Sequence, residues 1–159
     1  MTGVLIAFDL ASMVLLSWVF MRGYQVGQSV TIRSHIILAL AATGLSVFSH
    51  SLTMMYMAAV GRMIRQAVEQ GNLNQQYVLD SKSYRNKVFR IATVAMLAVM
   101  LQTILGGGAH TRVFPIWVHG MLAILTVIVN FFAVYLETYY LILNHMLGHQ
   151  AAREYEARH

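Results

Sequence analysis

"WVHGMLAILTVIVNFFAVYLETYYLILNH", residues 117–145, is apolar enough to lie in a bilayer, yet it carries His119, Asn130, Glu137, Asn144 and His145. A hydrocarbon core about 30 Å thick takes roughly 20 apolar residues of helix, so the stretch is long enough to span one. A polar side chain inside such a span must find its partner on another helix or line a cavity. The rest of the chain therefore has to supply more spans.

It supplies three. Apolar runs at about 3–21, 36–60 and 88–106 join the one at 114–143, and together they use up a single domain covering residues 1–159, with a polar loop at about 62–87. The chain is 58% hydrophobic and 11% charged, which leaves too little polar surface for a soluble domain of its length. The runs are continuous rather than alternating and hold one proline, Pro115, which excludes a transmembrane β-barrel. The expected fold is all-α, an integral membrane four-helix bundle. The opening "MTGVLIAFDL" lacks a basic region and places Asp9 inside the apolar run, so helix one is expected to stay rather than be cleaved as a signal peptide.

Basic residues set the expected orientation. Arg62, Arg65, Lys82, Arg85, Lys87 and Arg90 crowd the second connection and Arg153 and Arg158 lie in the tail, against Arg22, Arg33 and Arg112 in the other two connections. The bias places both termini in the cytoplasm, as expected for a bacterial-type inner membrane. The net charge of +5 is thus a topology signal, and no nucleic-acid partner is expected. The absence of cysteine excludes thiol catalysis and Cys-ligated iron–sulfur clusters.

Helices two and four run on into "GRMIRQAVEQ" and "GHQAAREYEA", which predict amphipathic extensions, with Gly71 as the C-terminal cap of helix two. "GGGAHTRVFP" predicts a helix stop at three glycines, a short loop carrying His110, and a restart at Pro115.

At 100° per residue, His119, Ala123, Thr126, Asn130, Ala133, Glu137 and Asn144 share a face of helix four. His35, Ala39, Ala42, Ser46, Ser49, His50 and Thr53 do so on helix two, Asp9 and Ser12 on helix one, and Thr93, Met96, Met100, Thr103 and Gly107 on helix three. Small and polar faces are those that helices turn toward each other in lipid. Aligned by rise, Asp9, His50 and Asn130 fall in one central layer with Glu137 about two turns lower, while His35 and His119 form an outer layer below His110. The tail residues His149 and His159 read as solvated, and His145 and His149 as an i, i+4 pair.

Two chemistries suit these layers. A b-type haem needs imidazoles from two helices at matching depth among small residues, which His35 and His119 satisfy. Asp9, His50 and Glu137 offer a mixed oxygen and nitrogen set suited to an iron, zinc or manganese ion, and His35, His110 and His119 an all-imidazole set suited to a copper or zinc ion. His50, flanked by serines in "FSHSL", also fits a neutral imidazole hydrogen-bonded across helices.

"HIILALAATGLSVFSHSLTMMYMAAV" (35–60), "SYRNKVFRIATVAMLAVMLQTILGG" (83–107) and "WVHGMLAILTVIVNFFAVYLETYY" (117–140) resemble, in order, the HemJ-type protoporphyrinogen oxidases and the copper-resistance D-type membrane proteins. The resemblance covers about two thirds of the chain and rests on hydropathy and two helix-opening histidines. It implies haem b at His35 and His119. The HemJ pattern continues Trp-x-His-x-Lys where this chain has Met121, so the resemblance does not extend to porphyrinogen oxidation, and His50 and Glu137 lie outside the pattern.

The expected function is membrane redox chemistry or electron transfer with one haem or metal ion in the bundle. The alternative is a non-catalytic subunit that holds a cofactor within a larger membrane assembly. Whether the chain is itself an enzyme stays open at this point.

Overall fold

The computed structural model describes residues 1–113 and 115–158 and forms four helices: α1 (Thr2–Gly23), α2 (Ile32–Gly71), α3 (Gln76–His110) and α4 (Ile116–Glu156). His159 lies outside the described residues. All four helices are long and apolar enough to cross a membrane. At about 1.5 Å per residue α1 matches one bilayer thickness, whereas α2 and α4, at 40 and 41 residues, run to about 60 Å and extend well past it.

α2 and α4 run parallel through the middle of the bundle, and α1 and α3 pack against both without touching each other. Both termini and the α2–α3 turn therefore share one end, here the terminal end. The α1–α2 and α3–α4 connections share the other, the loop end.

The bundle is polar inside and apolar outside. Leu10, Val14, Trp18, Leu40, Leu97, Leu101, Ile104, Leu125, Ile128, Phe131 and Phe132 all face outward, while Asp9, His50, Asn130 and Glu137 are buried. This inversion of the soluble pattern is compatible with a lipid surround. Ala42, Ala92, Ala95 and Ala133 are fully buried and let the backbones approach closely. Toward the terminal end the interior turns apolar, first around Leu5, Met57, Val88 and Leu141, then around Val60, Ile64, Val68 and Leu73.

The most buried face of α3 is Val88, Ala92, Ala95 and Val99. Part of the predicted stripe does face the bundle: the Thr103 hydroxyl lies 2.6 Å from that of Thr43, the Met96 sulfur accepts from Ser51, and Gly107 faces the interior at the loop end. Thr93 and Met100 are exposed. Thr93 can face outward because its hydroxyl donates back to the Phe89 carbonyl at 2.7 Å, satisfying itself within its own helix. Alanines set the closest part of the interhelical face, with Met96 and Thr103 at its margin.

Two helix ends also differ from expectation. α3 continues through Gly106, Gly107 and Gly108 to His110. At the end of α2, Asn72 and not Gly71 takes the left-handed conformation (φ 47°, ψ 44°). Gly71 serves packing instead, since a Cβ there would lie 2.8 Å from the Tyr155 ring of α4. The Arg158 guanidinium closes this end by donating to the Asn72 carbonyl at 3.1 Å and to Glu154 at 2.6 Å.

Asn72→Val should lower the unfolding free energy in detergent by about 1–2 kcal/mol, the cost of a left-handed residue with a branched Cβ, and Asn72→Gly should not. Equal melting temperatures for the two variants would contradict this turn geometry.

Candidate functional site

The inner layer is built from three helices. Asp9 comes from α1, Ser46, Ser49, His50 and Thr53 from α2, and Asn130 and Glu137 from α4, all buried. The Asn130 amide donates through Nδ2 to the Thr126 carbonyl at 2.8 Å. Its Oδ1 accepts from the Ser46 hydroxyl at 3.1 Å and faces His50 Nε2 at 3.2 Å. A carbonyl oxygen only accepts, so Nε2 carries the hydrogen and Nδ1 is left to deal with Glu137 Oε1, 2.8 Å away. That contact needs one proton, held by either partner.

Asp9 accepts from the Ser49 hydroxyl through Oδ1. Its Oδ2 and Glu137 Oε2 have no hydrogen-bond partner among the described residues. Nor does any lysine or arginine there pair with either carboxyl group; the ion pairs are His50–Glu137 and Arg158–Glu154. One ligand atom from each of Asp9, His50 and Glu137 lies within 4.8 Å of the other two, so the group can hold a metal ion.

Glu137 was expected two turns below His50 and instead meets it. Side chains on a helix lean toward its N-terminus, and α4 runs parallel to α2, so the three-carbon arm of Glu137 reaches back up to the ring while Asn130 meets it from above. Sequence spacing located the backbone and missed the reach of the side chain.

The outer layer is open. Between the helices at the loop end lies a cavity of about 1200 Å³, lined by His35, Gln102, His110, Arg112 and His119 among apolar and small residues from all four helices. Glycines make the room: a Cβ on Gly23 would sit 3.3 Å from the His35 ring and one on Gly106 2.9 Å from the His119 ring. His35 and His119 are close enough to interact electrostatically. Gln102 Nε2 donates to His119 Nδ1 at 2.9 Å and to the His119 carbonyl at 3.1 Å, which fixes that ring. His35 Nδ1 is buried without a partner, and among the described residues no group hydrogen-bonds either Nε2. His110, the last residue of α3, is exposed at the rim.

Gln102, Gly23 and Gly106 were not singled out from the sequence. A lone amide in the apolar run "VMLQTILGG" was the available signal for Gln102. His145 and His149 lie toward the terminal end. His145 Nδ1 meets the Tyr56 hydroxyl at 2.9 Å, and its ring stands edge-on to His149 with centroids 4.5 Å apart.

Comparisons with protein-family models, curated proteins and solved structures find no match for this chain.

Ser49→Ala removes the partner of a buried carboxyl group and should destabilise the bundle by about 1–3 kcal/mol. The exposed control Ser34→Ala should cost less than half as much. Equal thermal shifts in detergent would contradict the inner network.

Proposed function

We propose that the chain is an integral membrane protein with both termini on the cytoplasmic side, and that it binds one b-type haem in the loop-end cavity and transfers electrons within a bacterial-type inner membrane. The outward apolar faces support insertion. The orientation rests on eight lysines and arginines at the terminal end against three at the loop end.

The observation that carries the haem reading is the pair His35 and His119: imidazoles from α2 and α4 on one cavity of about 1200 Å³, each with an Nε2 that nothing else holds. Pockets for compact organic ligands occupy roughly 300–1000 Å³, so a macrocycle fits. His35 and His119 would supply the axial nitrogens, and bound haem supplies a one-electron couple. Gln102 sets the His119 ring plane, and turning its amide would let Oε1 accept from Nδ1–H, the arrangement that orients a ligating histidine. Arg112, on the cavity wall, suits a propionate. Were both histidines to hold the haem iron, the protein would leave no open position on it, which suits electron transfer. The likeness of the two helix-opening histidines to those of HemJ-type proteins supports the same ligands, and Met121 argues against porphyrinogen oxidation.

A second reading, a cofactor-holding subunit of a membrane complex, is favoured by the extensions of α2 and α4 beyond a single bilayer thickness, which offer a docking end. Co-purification with a redox enzyme from native membranes would support it.

Protein purified in mild detergent from haem-supplied cells should show a Soret band and, on reduction, sharp α and β bands. His35→Ala or His119→Ala should abolish them. Gly106→Leu, which displaces the His119 ring without removing a ligand, should lower haem occupancy at least fivefold. A folded, colourless protein that takes up no haem would overturn the proposal.

A further inference from the structure

We propose that Asp9, His50 and Glu137 form a second site, separate from the loop-end cavity, that binds one divalent ion of the manganese, iron or zinc class. Three helices converge one donor each on a point. Three ligands at about 2.1 Å from one ion stand roughly 3.4 Å apart, and the three donor atoms lie within 4.8 Å of one another, so side-chain shifts of up to about 1 Å would close the shell.

The orphaned atoms point to the ion. Glu137 Oε2 is a buried oxygen without a hydrogen-bond partner, and Asp9 Oδ2 has none within 3.5 Å, with the likewise unpartnered Thr53 hydroxyl beside the carboxyl group; both acids have no exposed surface. Buried carboxylate oxygens rarely go unpaired in water-free interiors. His50 is already posed as a ligand: Asn130 Oδ1 takes its Nε2–H, which fixes the tautomer and turns the Nδ1 lone pair toward Glu137. An ion at this point takes the place of the proton that the Nδ1···Oε1 contact otherwise requires. Charge also balances, since two carboxylates and a neutral imidazole neutralise a divalent cation, whereas no lysine or arginine among the described residues pairs with either carboxylate. One nitrogen with two carboxylates selects divalent manganese, iron or zinc over copper(I), which prefers sulfur, and over magnesium, which prefers all-oxygen shells.

The site does not depend on haem in the outer cavity. Full-length protein in detergent, stripped with chelator, is titrated with Mn(II) and free ion counted by electron paramagnetic resonance. One Mn(II) per chain should bind, with pulsed spectra showing coupling to an imidazole nitrogen. The near-isosteric Asp9→Asn and Glu137→Gln should each weaken binding at least tenfold, and His50→Gln should remove the nitrogen coupling. The double variant His35→Ala/His119→Ala should bind Mn(II) as the unaltered chain does, whether or not the haem reading holds. Substoichiometric binding, binding without nitrogen coupling, undiminished binding in folded Asp9→Asn, or loss of binding in the double variant would each overturn the proposal. The unaltered chain decides the first two outcomes even if a substituted chain fails to fold.

Discussion

An acid, a second acid and an imidazole buried in an apolar bundle leave the helices little freedom. Insertion scales put an Asp at a helix centre at about 2.5–3.5 kcal/mol, a cost that falls only if another helix satisfies it. Asp9 needs Ser49 of α2, and His50 of α2 needs both Asn130 and Glu137 of α4. Those bonds fix the mutual register of three of the four helices. Slipping α4 by one residue would turn Asn130 and Glu137 by about 100° and leave both sides unpaired. The inner layer is thus at once the main polar burden of the fold and the chief source of its specificity, a use of buried polarity attested in coiled coils.

Residue size divides the bundle on either side of that layer. Toward the terminal end the bulky side chains of Met57, Ile64, Val88 and Leu141 are buried in the interior. Toward the loop end Ala39, Gly106, Gly107, Gly120 and Ala123 leave space, and the cavity opens between them. Gly106 and Gly23 also seat the two imidazoles, because a Cβ on Gly106 would lie 2.9 Å from the His119 ring and one on Gly23 3.3 Å from the His35 ring. Closed packing below and small residues above thus put a chamber with two nitrogen donors next to a buried carboxylate and imidazole layer.

Much of this was legible in the residues. Four apolar runs of spanning length give four helices, and the polar positions of α1, α2 and α4 fall on one face at helical spacing and do turn inward at Asp9, His50, Asn130 and Glu137. Two kinds of feature were not legible. On α3 the packing face is made by Ala92 and Ala95, which carry no polar signal, while Thr93 satisfied its hydroxyl locally and escaped to the outside. Asp9, His50 and Glu137 were already grouped as one donor set from the residues; what no spacing rule contains is side-chain reach across helices, which sets the Glu137–His50 contact and the Gln102–His119 bonds. Gly71 and Asn72 show a third limit: Gly71 serves a packing contact with Tyr155, 84 positions later in the sequence, while its neighbour Asn72 takes the left-handed turn.

The measurement that bears most directly on the account is anomalous diffraction at the iron edge from crystals of haem-saturated protein. The account predicts one strong iron peak in the loop-end cavity, between His35 and His119. An iron-free cavity, with any bound haem lying outside it or held by other residues, would contradict it.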